Sequence, residues 1–279
     1  MNPYASRVTP ELAEQVAATL GAAETVFTER AGHATEIARD ADAEKLVVFS
    51  GDGGFNEVLN GARPETVLGF VPGGGTSVLP RALGLPRDPL EAARAIAGGR
   101  TRRISLGRAN GRRFGFAAGL GLDAELIRRM DARGRDESGK RPGDLAFALT
   151  ALRTLAERRV RFDPVMHVDG EGRAAFVLVA NSDPYSYVGR VALRLPRGAD
   201  VEAGLDLLAP RSLRARSLPG VLRYLFTGRT SLPLIHLHDR DRIEVTCDVP
   251  MPLQLDGEDV GDVAEVVFEA ERDAVAVLA

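Results

Sequence analysis

The stretch KLVVFSGDGGFNEVLNG, Lys45 to Gly61, is an apolar run, then a glycine-rich turn, then a helix-forming segment. An apolar run without alternation marks a strand buried on both faces. A glycine turn between strand and helix lets the backbone approach an anion, and the helix start offers unpaired N–H groups. This turn nevertheless carries a carboxylate, Asp52, between two glycines. Working outward, strand and helix signals alternate through the first hundred residues. TPELAEQVAATL has Thr9 as N-cap and Pro10 at the first helical position, and HATEIARDADA reads as a weaker helix. A helix near Phe55–Ala62 is followed by a second buried strand, VLGFV, and a second glycine turn, Pro72–Gly75, which leads into a helix that Thr76 would cap. DPLEAARAIAGG, with Asp88 as N-cap and Pro89 at N1, closes the series. The rhythm predicts an α/β domain with a parallel sheet covered by helices.

Past Thr101 the pattern changes. RRISLGRANGRRFGFAAGLG reads as two strands around an Asn-Gly turn. A helix DAELIRRM, a charged loop DARGRDESGKRPGD and a helix DLAFALTALRTLAERR follow. From Val160 onward short alternating strands dominate, with one helical stretch near Leu218–Phe226. The expectation is a β-rich, sandwich-like second domain, with the division at 1–103 and 104–279.

The net charge of -3 and the lack of a long basic block argue against nucleic acid as a partner. A single cysteine, Cys247, excludes an intrachain disulfide and sits in strand-like sequence, as a buried structural thiol does. No apolar run approaches a membrane span and no signal-peptide core is present, so the cytoplasm is the expected compartment.

Neither glycine turn is a Walker A loop, and Asn56 stands where a Rossmann fingerprint needs its third glycine. Two such turns in tandem, both at the carboxyl ends of predicted parallel strands, point to a phosphate-bearing ligand. SGDGGFNEVLNG followed by PGGGTSVLPRALGLP resembles the diacylglycerol kinase catalytic family, which includes bacterial lipid kinases and sphingosine kinases. The likeness lies at Gly51, Asp52, Gly53, Asn56, Glu57 and Val58, and at Pro72, Gly75, Thr76, Arg81 and Gly84. NPYAS, GFAAGLGLDAELI and PLQLDGEDVG resemble the family's opening loop, the start of its second domain and its late D-G-E segment. The NAD kinases share the superfamily and the G-G-D-G-T core.

The resemblance implies an ATP- and Mg²⁺-dependent kinase that phosphorylates a lipid alcohol, diacylglycerol or a sphingoid base, in a cleft between the domains. It implies peripheral contact with the inner membrane face and leaves a homodimer open. Asn2, Thr28, Ser50, Gly51, Asp52, Gly53, Gly54, Asn56, Glu57, Gly74, Gly75 and Thr76 would line the nucleotide site. Asp52 would orient metal or nucleophile, although an Asp in a turn also caps backbone N–H groups. Thr28 too is open to a plain turn role.

Two D-G-E tripeptides compete for the general base. Asp169–Glu171 sits between alternating strands as an ordinary hairpin. Asp256–Glu258 matches the late family motif, so Glu258 is assigned as base and Asp256 as its supporting carboxylate. His236 and His238 alternate on one strand and read as surface residues. RSLRARSLPGVLRYLF reads as a membrane-surface helix or as packing onto the second domain's core, the latter being expected.

The chain departs from the family at several positions. Gly54 replaces a Thr, Ser50 replaces a Gly, and Val78–Leu79 replace Asn-Asp. Restoring Thr at residue 54 is expected to strengthen ATP use. Ala203 stands where the family has a metal-loop aspartate, so no metal site is expected there. A family-like sheet has a strand ahead of Asn2-Pro3, and an apolar strand added before Asn2 is expected to raise the melting temperature. The rival readings are an NAD kinase-like phosphotransferase with a soluble acceptor and an inactive nucleotide-binding relative.

Overall fold

A computed structural model describes residues 1–134, 144–188 and 191–279, and most of the expected charged loop after Asp131 lies outside them. The local signals act where they were read. Thr9 accepts from the Leu12 N–H at 3.2 Å and starts the helix Pro10–Leu20, which Gly21 ends in the left-handed region at φ 62. Asp88 accepts from the Leu90 and Glu91 N–H groups at the head of Pro89–Gly98. Asn110 and Gly111, at φ 46 and 89, turn Thr101–Ala109 into Arg112–Phe114. Gly115 and Phe116 then break the predicted second strand, and a third runs Ala117–Leu120.

Lys45–Ser50 and Val67–Pro72 pair in parallel, in register from Lys45 opposite Val67 to Ser50 opposite Pro72. The next strand in the sheet is the end of the C-terminal strand Glu258–Leu278, where Ala276 and Val277 lie parallel to Val67 and Leu68. That strand also pairs antiparallel with Thr101–Ala109 and with Arg242–Leu255. One sheet of twelve strands therefore runs from the parallel half into the antiparallel half. The expected division after residue 103 falls inside the strand Thr101–Ala109. On the outer side of Lys45–Ser50, the Asn2 N–H donates to the Phe49 carbonyl at 2.9 Å, and the Thr28 N–H donates to the Met1 carbonyl at 2.9 Å.

Two main cores result. In the first, Phe49, Phe55, Phe70 and Leu59 pack between helices and parallel strands, with the Phe55 and Phe70 rings edge to face at 5.3 Å. In the second, alternate residues such as Val177, Val179, Leu205, Leu207, Val245 and Phe268 fill the β-rich half. Cys247 is half-buried in Arg242–Leu255, and burial pushes its thiol up to about 11. The helix Leu218–Thr227 lies against a small cluster of Phe162, Ala175 and Leu213 through Val221, and none of its residues is fully buried. Among the described residues no helix is long and apolar enough to cross a membrane.

Candidate active site

The two glycine turns meet backbone to backbone. The Gly73 N–H donates to the Ser50 carbonyl at 2.6 Å, and a Cβ built on Gly74 would stand 2.9 Å from the Gly51 Cα. Only residues without side chains allow that approach. Asp52 opens the helix Asp52–Gly61, and its Oδ1 accepts from the Val78 N–H at 2.7 Å. The carboxylate in the first turn thus caps the five-residue helix Val78–Ala82 of the second. Thr76 does not cap that helix; Ser77 holds the N-cap position without a side-chain bond. Burial raises the Asp52 pKa to about 7, against the lowering effect of the Val78 N–H, with the nearby Asp256 raising it further.

Asp256, at φ 51 in the last hairpin, is buried. Its Oδ2 accepts from the Gly115 N–H at 2.6 Å and the Asn56 amide at 2.8 Å, and its Oδ1 from the Phe116 and Ala117 N–H groups at 2.9 and 3.1 Å. Burial raises its pKa, opposed by these donors. The residue clamps the hairpin to the helix Asp52–Gly61 and to the loop before Ala117. Two residues on, Glu258 reaches the first glycine turn. A Cβ on Gly53 would overlap the Glu258 Oε1 and stand 3.4 Å from its Cδ. The Arg112 guanidinium lies 3.2 Å from the Glu258 Oε2.

All of this opens onto one cavity of about 1500 Å³. Asn2, Thr28, Ser50, the stretch Gly51–Gly54, Glu57, Gly74, Gly75, Thr76, Asp256 and Glu258 lie on its wall. Asn56 does not: it is buried, and its amide donates to Asp256 and to the Arg113 carbonyl. Glu57 spends both oxygens on the Gly32 and Ala34 N–H groups at the head of His33–Asp40, a capping role. The competing Asp169–Glu171 is an exposed turn between Met166–Val168 and Gly172–Ala174, away from the cavity wall. His238 pairs with the buried Asp206.

Several wall residues were not legible in the sequence. Asp123 is held by the Tyr185 hydroxyl and the Gln254 amide, both at 2.7 Å, and burial raises its pKa. Its position at the head of the DAELI helix sequence gave no sign of the Tyr185 and Gln254 partners that come from 62 and 131 residues away. Leu126, Ile127, Met130 and Phe147 add an apolar wall. Arg7, Arg81 and Arg87 gather beside Gly75 and Thr76, and Arg81 lies over the Tyr187 ring.

The fold and this glycine-loop cleft define the class: a diacylglycerol kinase-type α/β fold with a β-rich second half. Residues 1–109 match the family model of the diacylglycerol kinase catalytic domain, so the resemblance carried by the two glycine turns is to this family. The chain is 28% identical over 256 residues to a diacylglycerol kinase of Bacillus subtilis, covering 84% of this chain and 78% of that protein. It is 40% identical over 101 residues to a diacylglycerol kinase of Staphylococcus carnosus, covering 33% and 32%. The solved structure of a diacylglycerol kinase from Bacillus anthracis shares the fold, with a TM-score of 0.72 at 19% identity over 99% of this chain and 94% of that one.

Proposed function

We propose that the protein transfers the γ-phosphoryl group of ATP to the hydroxyl of a lipid alcohol of diacylglycerol or sphingoid-base type. The observation that carries this reading is the seat of Glu258: its carboxylate lies against Gly53, on the wall that the glycine turns share with apolar residues. Phosphoryl transfer needs positioning and charge neutralisation more than covalent chemistry. In this reading the glycine turns and the arginines near Thr76 hold the phosphates. Glu258 removes the proton of a hydroxyl whose acyl or alkyl chains lie along Leu126, Ile127, Met130 and Phe147.

Mg²⁺ belongs to the proposal. It takes oxygen ligands, and Asp52 and Glu258 are the acidic groups beside the first glycine turn. A cation there would hold Asp52 ionised against the burial that raises its pKa. When bound, it would neutralise charge on the transferring phosphate.

The test is γ-labelled ATP with the full chain and vesicles holding diacylglycerol, sphingosine or neither. Label transferred to one lipid supports the reading. Transfer to NAD and to neither lipid would overturn it.

A further inference from the structure

From Leu207 to His238 the chain has no acidic residue, yet it carries Arg211, Arg214, Arg216, Arg223 and Arg229, in a protein whose net charge is -3. The helix Leu218–Thr227 lies at the centre of this segment. Its inner face is anchored: Val221 packs on Phe162, Ala175 and Leu213, and Gly220 backs onto Leu232. Its outer face is apolar at helical spacing. Pro219 is exposed, Leu222 is 54% exposed and Phe226 is 82% exposed. Arg223 is exposed next to Leu222, Arg216 is exposed in the turn just before the helix, and Arg229 is exposed just past its end. Arg214 is held by Asp163, whereas Arg216, Arg223 and Arg229 make no ion pair among the described residues.

A large aromatic ring left in water, rimmed by uncompensated arginines on a helix of high amphipathicity, fits an interface with apolar interior and anionic surface. We propose that this helix docks the protein on an anionic lipid bilayer. Leu222 and Phe226 enter the acyl boundary, while Arg216, Arg223 and Arg229 pair with phosphate headgroups. The placement suits the cavity. Leu193 and Leu195 lie on the cavity wall, and Arg197, two residues on, donates to the Leu225 carbonyl at 2.6 Å. The end of the helix is therefore tied to the loop that follows Leu195 at the cleft. The inference concerns attachment alone and stands apart from the phosphoryl-transfer reading.

The experiment is co-sedimentation of the full chain with vesicles that contain no diacylglycerol or sphingosine. One set is phosphatidylglycerol mixed with phosphatidylcholine and the other phosphatidylcholine alone. Binding is expected to the anionic set, to weaken with added salt, and to be slight on the neutral set. Phe226→Ser should lower the partition coefficient about tenfold. Arg216→Ala and Arg223→Ala should each lower it about fivefold. These positions are exposed, so melting temperature should stay at the wild-type value and certify the fold. No binding of the wild type to anionic vesicles, or Phe226→Ser binding as well as wild type, overturns the proposal. So does a solution dimer that Phe226→Ser dissolves while vesicle binding is absent, which would assign the face to a second copy of the chain.

Discussion

The Ser50 side chain fills the space into which a side chain at residue 54 would grow. A Cβ built on Gly54 would stand 2.7 Å from the Ser50 Cβ and overlap its Oγ. Ser50 is 1% exposed, and its hydroxyl has no hydrogen-bond partner among the described residues. The two departures from G-G-D-G-T, serine for the first glycine and glycine for the threonine, thus fall on one shared space: the serine side chain stands where a side chain at residue 54 would grow.

Gly54→Thr alone should therefore lower the melting temperature and weaken turnover, against the sequence-based expectation of a gain. Forcing extra atoms into a packed site costs about 1–3 kcal/mol. Ser50→Gly combined with Gly54→Thr should recover most of that loss. The measurement is thermal unfolding of both single variants and the double variant. Additive losses in the double variant would show that the residues do not share one space.

Local chemistry was legible because it acts over a few residues. Thr9-Pro10 and Asp88-Pro89 start their helices whatever packs on them, and the glycine turns follow their strands. What sequence could not show is pairing at a distance. Asn56 is a polar residue in a glycine-turn motif, and its contacts with Asp256, 200 residues on, and with the Arg113 carbonyl appear only in the folded chain. Glu57 reads as a site residue until the Gly32 and Ala34 N–H groups are found against it. The amphipathic helix Leu218–Thr227 has a periodicity that any half-buried helix shares, and only in three dimensions does Val221 turn inward while Leu222 and Phe226 stay exposed.

Asp256 should prove to be a stability residue before it is anything else. Asp256→Ala would leave the Gly115, Phe116 and Ala117 N–H groups without their acceptor and take from the Asn56 amide one of its two. Each orphaned buried donor costs about 1–3 kcal/mol, so a loss of at least about 3 kcal/mol is expected in urea unfolding. Asp256→Asn should lose less, since asparagine keeps an acceptor oxygen and tolerates the left-handed φ of 51. A stable Asp256→Ala with abolished turnover would instead assign the carboxylate to the chemistry.

Glu258→Gln should fold normally and lose about 10²–10⁴-fold in kcat, the usual loss of a general base. Glu171→Gln, in the exposed hairpin turn, is the control and should stay within about twofold, as surface changes do. Comparing kcat at saturating ATP separates the two tripeptides. Equal losses in both variants would undo the choice of the second.

Asp52 combines the site with a cost in stability. Its pKa is raised from 3.8 to about 7 by burial first, opposed by the Val78 N–H and reinforced by Asp256. The folded state therefore holds a proton there more tightly than the unfolded chain does. Well below pH 3.8 both states carry the proton and the contribution is fully present. As pH climbs toward 7 the unfolded chain ionises at no cost while the folded one resists, so stability falls, by at most ~1.4 kcal/mol per pH unit for one proton. Asparagine keeps an oxygen to accept from Val78 and carries no charge. Asp52→Asn should then match wild type near pH 4 and be the more stable protein at pH 8, with the difference growing between those values. The same variant should turn over poorly at every pH if Asp52 orients the metal or the nucleophile. Urea unfolding of both proteins from pH 4 to 8 checks the first statement. A stability difference independent of pH would mean that Asp52 is ionised throughout, held so by the amides it caps.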